Sequence, residues 1–200
     1  MDNLIKLNGG GNNFLYYFLD VSAALADNYS RTIKNLSVVD CYAVVSTFQK
    51  IGTSYTLNTV AVDGTNVPAE KDTVISNGYR SGCFVSKIKS TSEIVVAGHE
   101  TYGAIELVML LLAKPTTLGT AVNRGTTSLN FSSNKNIMIV GLADSDGPIS
   151  STTFVISCNK EVIFYRLETT YCIAFILGND LKAGTVTDTA YNSTIHIYEF

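Results

Sequence analysis

Short β-branched and aromatic runs recur along the whole chain, and turn residues cut each one off before a helix of ordinary length develops. Residues 35–48, 54–62, 73–76, 83–89, 93–97 and 104–113 read as extended, followed by 127–131, 136–142, 152–157, 162–168, 171–177 and 193–199. Asp63-Gly64, Asn77-Gly78, Asp146-Gly147-Pro148 and Gly178-Asn179-Asp180 fall between them. Asp and Asn close their own turns through side-chain hydrogen bonds, and Gly accepts the positive φ that tight turns demand. Strands at this spacing predict an all-β, antiparallel β-sandwich. Residues 20–27 place Val21, Ala24 and Leu25 on one helical face, so at most one short helix is expected, near the N-terminus. Phe154–Cys158, Asn159-Lys160 and 161–165 read as a two-residue hairpin.

Composition narrows the classes. Ser, Thr, Asn and Gly supply about a third of the residues, charged residues only 16%, and hydrophobic residues 46%. The chain can therefore bury a core while presenting a neutral, hydrogen-bonding surface. A formal net charge of -3 without clustered Lys and Arg offers no footprint for nucleic acid or for an anionic membrane. The apolar run 107–113 is too short to span a bilayer, and Met1–Lys6 lacks the pattern of a signal peptide. Synthesis in a cytoplasm without a signal peptide is expected. The Gly9-Gly10-Gly11-Asn12-Asn13 stretch marks residues 1–13 as an arm ahead of a single β-sandwich domain over 14–200. Ile94–Gly98 echoes Ile137–Gly141, a match that chance between core strands explains.

No motif for catalysis stands out. A Gly-x-Ser-x-Gly elbow is missing, and Gly119–Thr126 lacks the lysine of a phosphate loop. Cys41, Cys83, Cys158 and Cys172 are widely spaced beside apolar neighbours, as buried free thiols would be. No catalytic residue and no cofactor are assigned, and the chain is read as a non-enzyme. Asp144 and Asp146 before Gly147 resemble the opening of a calcium loop, though the closing Glu is absent. A plain Asp-Gly turn is the competing reading. Tyr79, His99, Tyr102 and Tyr191 lie in loop-like contexts and are the candidate ligand-binding residues. The last segment, Thr194 to Phe200, alternates polar and apolar residues to the C-terminus. It reads as an assembly edge carried by Ile195, Ile197 and Phe200.

The Asn8–Asn13 start, the Ser/Thr/Asn-rich strands and the closing Ile195-His196-Ile197-Tyr198-Glu199-Phe200 strand together resemble a bacteriophage virion protein of the fibre-tip, capsid-decoration or baseplate kind. The resemblance is one of style over the whole chain and carries over no residue. It implies a jelly-roll-like β-sandwich, a homo-oligomer with a trimer favoured, other virion proteins as partners, and residence in the virion. The alternative is a carbohydrate-recognition module that binds a host surface glycan as a receptor-binding tip.

Overall fold

The computed structural model describes residues 4–9, 12–23, 30–34, 39–50, 58–75, 78–98, 104–123, 125–144, 147–177 and 180–200. Every described element is a β-strand and every strand pairing is antiparallel. The chain divides into two compact units, Met1–Pro115 and Thr116–Phe200. No shift in composition marks that boundary, because both units are made of the same kind of strand.

The first unit holds β1 (Leu4–Gly9), β2 (Asn12–Ala23), β3 (Ser30–Lys34), β4 (Cys41–Lys50), β5 (Thr59–Val62), β6 (Thr65–Val67), β7 (Lys71–Ile75), β8 (Tyr79–Ile88), β9 (Glu93–Ala97) and β10 (Ala104–Leu111). They form a six-stranded sheet, β1-β2-β10-β4-β8-β7, and a four-stranded sheet, β3-β9-β5-β6. Ala43, Val45, Phe84 and Val108 from the larger sheet meet Ile33, Val60, Ile94 and Val96 from the smaller in one buried core. This is a sandwich. The Asp63-Gly64 pair closes the β5–β6 hairpin with φ of 49° and 77°, the doubly positive turn that matches strand twist.

The second unit holds β11 (Thr116–Asn123), β12 (Thr127–Ser133), β13 (Ile137–Ala143), β14 (Phe154–Cys158), β15 (Val162–Leu167), β16 (Tyr171–Ile176), β17 (Leu181–Asp188) and β18 (Ser193–Glu199). A five-stranded sheet, β11-β18-β13-β16-β15, faces a three-stranded sheet, β12-β17-β14. Ile139, Ala174, Ile195 and Ile197 pack against Phe131, Phe154 and Val186 across the gap. Gly141 makes room for the Phe154 ring, since a Cβ there would lie 2.7 Å from it. Met138, Val140, Ile173, Phe175 and Tyr198 alternate with core-facing residues and are equally buried. Burial on both faces explains why Ile137–Ala143 and Tyr171–Ile176 read as unbroken apolar runs.

The two units share one strand order. In the second, β11 pairs with β18, β12 with β17 and β13 with β16, so the pairs nest inside one another. In the first, β2 pairs with β10, β3 with β9 and β4 with β8 in the same nested way. The closing pairs correspond too: β18–β13 matches β10–β4, and β17–β14 matches the β9–β5 pair. Additions to the shared plan are β1 and β6, both in the first unit. The Ile94 and Ile137 runs that echo in sequence are β9 and β13, which are not counterparts in this order. Chance is the right account of that echo.

Several expectations need correction. Asp20–Ala23 ends β2 and is strand rather than helix; residues 24–27 lie outside the described residues. Leu4–Gly9, expected in the arm, pairs in register with Asn12–Tyr17 as β1. The 154–165 hairpin does not form. β14 pairs with β17 while β15 pairs with β16, so Asn159-Lys160 turns the corner between two sheets. The terminal segment is no edge either: β18 is bonded to β11 on one side and β13 on the other. Ile195 and Ile197 are fully buried and Phe200 is 7% exposed, because a strand closing nested pairs must enter the middle of the sheet.

Candidate functional site

The expected ligand residues separate in space. Tyr79 begins β8 and is 4% exposed, its ring 5.6 Å from that of Phe48. It is a core residue, placed by the β4–β8 ladder that sets Lys50 opposite Tyr79. His99 and Tyr102 lie outside the described residues. Tyr191 is 43% exposed in the turn between β17 and β18.

Tyr191 and Asp144 come to one end of the second unit. The Asp144 N–H donates to the Asn192 carbonyl at 3.2 Å, and the Asp144 carbonyl accepts the Gly147 N–H at 3.1 Å. Gly147 lies so close to the Tyr191 backbone that a Cβ would approach its carbonyl oxygen to 2.6 Å. Beside them, Ser150 and Thr153 bond reciprocally: the Ser150 N–H reaches Thr153 Oγ1 at 2.7 Å and the Thr153 N–H reaches Ser150 Oγ at 3.2 Å. Asp188 anchors the turn beneath by accepting the Ala190 N–H at 2.8 Å. Burial holds its carboxyl above the ordinary range, although the Ser193 and Ala190 bonds pull the other way. These loops present hydroxyls, amides and one phenol. Asp146 lies outside the described residues, and among the described residues no three His, Cys, Asp or Glu side chains converge on a metal position.

Two grooves offer more enclosed surfaces. One, of about 470 Å³ in the second unit, has Leu118 and Phe131 with Asn130, Ser132, Lys182 and Thr185 around it. Thr185 Oγ1 donates to Asn130 Oδ1 at 2.9 Å, fixing the polar wall. Gly184 leaves its side-chain position to Phe131, whose ring would lie 2.4 Å from a Cβ.

The larger groove, about 620 Å³, lies in the first unit where the β5–β6 hairpin and residues 68–70 approach β4, β8 and Lys114. Val62, Val67 and Val85 give it apolar walls, while Tyr42, Thr65, Asn66, Ser86, Glu70, Lys87 and Lys114 supply a phenol, hydroxyls, an amide, a carboxylate and two ammonium groups. Tyr42 and Lys87 are register partners on β4 and β8, so the aromatic ring and one cation are positioned by the same ladder. The Asp63 carboxylate steadies the hairpin by accepting the Glu93 N–H at 2.9 Å and the Ser92 hydroxyl at 2.7 Å. Those two bonds hold it below the usual carboxylate range.

Sequence reading missed this groove. Tyr42 and Lys87 are far apart in the chain and meet only through strand register. The Asp63-Gly64 turn, which aims Thr65 and Asn66, was its one legible part.

The remaining chemistry is structural. Cys41, Cys83 and Cys172 are buried and Cys158 is half-buried; none of them forms a disulfide. Burial pushes the Cys172 thiol far up, so it carries no thiolate at neutral pH. Glu93 pairs with Lys34 at 3.2 Å, and Arg80 forms a two-point pair with Asp72. No family model, no curated protein and no solved structure matches this chain.

Proposed function

We propose that this chain is a non-enzymatic structural protein of a bacteriophage virion, a fibre, decoration or tail/baseplate element that assembles as a homo-oligomer through β-sheet edges. The observation that carries the reading is the nested strand order, present twice in tandem. Nested antiparallel pairs folded into two facing sheets support a jelly-roll-like reading, an architecture recurrent in capsid and lectin domains. Fold alone does not decide function. The low charge and the polar-neutral loops favour packing between subunits through short-range contacts. Light scattering of the purified chain at micromolar concentration is the test. A mass of several chains is expected, three on the virion resemblance, and a strict monomer of 21.6 kDa would sink the reading.

The 620 Å³ groove favours a second reading, a carbohydrate-recognition module for a host surface glycan. A phenol face with hydroxyl and amide partners suits a sugar ring, and Lys87 and Lys114 suit an acidic one. Binding to a glycan array, concentrated on acidic sugars, is expected to fall at least tenfold in Lys87→Ala/Lys114→Ala. An array without hits removes this reading and leaves the first.

A further inference from the structure

The free edge of β14 differs from every other edge among the described strands. An edge strand exposes unpaired N–H and C=O groups, and folded proteins guard such edges with charge, bulges or shortness. β1 contains Lys6, β3 contains Arg31 and Lys34, and β7 contains Lys71 and Asp72. β6 has only three residues. β11, β12 and β15 each break register, between Thr117 and Gly119, Phe131 and Ser133, and Phe164 and Arg166. β14, Phe-Val-Ile-Ser-Cys, has no charge and no proline, and runs unbroken from Phe154 to Cys158 along β17. Val155 is 46% exposed on it.

The first unit indicates what belongs there. Its counterpart of β14 is β5, and the outer side of β5 is taken by the chain's own β6. In the second unit that position beside β14 has no strand from the described residues. The Thr189 N–H donates to the Thr153 carbonyl at 2.8 Å. By antiparallel alternation Val155 and Ser157 then bond to β17, while Ile156 and Cys158 turn their N–H and C=O groups outward.

We infer that β14 is the contact by which a second copy of this chain joins, pairing antiparallel with its own copy about Ile156 to make one continuous six-stranded sheet. The inference rests on the homo-oligomer reading above and names its strand and symmetry. Self-pairing is favoured over a foreign strand because the edge is self-complementary. Ile156 meets Ile156 of the second copy in a hydrogen-bonded pair, and Val155 faces Ser157 across the axis, so no charge meets its like. A two-fold contact also closes on itself and does not propagate. The small net charge of -3 leaves little long-range repulsion between copies.

The double variant Val155→Lys/Ser157→Lys places lysines opposite one another across the axis, on exposed positions whose neighbours on β17 are Thr187 and Thr185. By light scattering the full-length wild type is expected at an even multiple of 21.6 kDa in place of the three chains of the virion resemblance, and the variant at half that mass with an unchanged melting temperature. A trimeric wild type overturns the two-fold β14 contact and leaves the homo-oligomer reading intact. A variant that keeps the wild-type mass overturns the β14 contact and leaves the homo-oligomer reading intact. A monomeric wild type overturns both. Should the lysines impair folding, Val155→Cys/Ser157→Cys reads the same contact. Facing residues of a non-hydrogen-bonded pair lie about 4.5 Å apart, within reach of a disulfide. Mild oxidation is then expected to give a covalent dimer on a non-reducing gel; a product no more dimeric than oxidised wild type, which retains Cys158, overturns the inference.

Discussion

His196 sits on β18 between Thr120 of β11 and Val140 of β13, 1% exposed, its ring 6.4 Å from that of Tyr198. Burial disfavours the imidazolium and lowers its pKa to about 4 from an ordinary 6.5. Between those values the unfolded chain binds the proton and the folded chain does not. Stability from this residue is therefore complete above pH 6.5 and falls as the pH drops toward 4, by about 3 kcal/mol at most. Asp188, raised by burial, acts in the opposite direction at the acid end, so the difference between two proteins isolates the histidine. Urea midpoints measured from pH 7 to pH 4 should fall in wild type and fall distinctly less in His196→Leu. Parallel curves would assign the acid sensitivity to another group.

At the level of elements, the β5–β6 hairpin is the piece whose geometry its sequence dictates most directly. Gly64 has φ +77° with open space around its missing Cβ, so a side chain there meets backbone strain and nothing else. Gly64→Val is expected to cost about 1–2 kcal/mol, read as a lower melting temperature, and to weaken any ligand of the adjoining groove. An unchanged melting temperature would show that the turn relaxes freely. Asp63-Gly64 was legible because turn chemistry is local. The same holds for β9 and β18, whose bounds match the predicted 93–97 and 193–199. β11 and β17 show the limit. Thr116–Asn123 and Leu181–Asp188 contain a glycine and few apolar residues, so neither announces itself as a strand. β17 nevertheless lies in the middle of its sheet, paired to β12 and β14, because Gly184 yields its space to Phe131. Phe154–Leu167 failed for the complementary reason. Two good strands around Asn159-Lys160 looked like a hairpin, yet the partners each strand prefers lie elsewhere in the chain. Partner choice is also what hid the Tyr42–Lys87 groove and the central place of Ile195 and Ile197.

On the scale of the molecule, each unit is held by nested pairs, so its last strand closes the larger sheet from within, β18 between β11 and β13 and β10 between β2 and β4. Removing residues 193–200 takes away the strand between β11 and β13 and strips both neighbours of their ladders. Such a truncation is expected to abolish cooperative unfolding of the second unit, seen as lost amide protection across β13 and β16. Retained protection there would mean that the sheet closes without β18. The long sequence separation of these pairs also predicts slow folding, in the millisecond-to-second range of sheet-dominated domains.

Nesting has a bearing on synthesis. β11 and β12 leave the ribosome long before β17 and β18, the partners their ladders require. The first unit meets the same delay with β2 and β3 but has all its strands by Leu111. It can close while the second is still being translated. In that interval Thr116–Asn123 and Thr127–Ser133 are nascent strands without mates, and their threonines, serines and asparagines keep them from sticking to the chains emerging beside them.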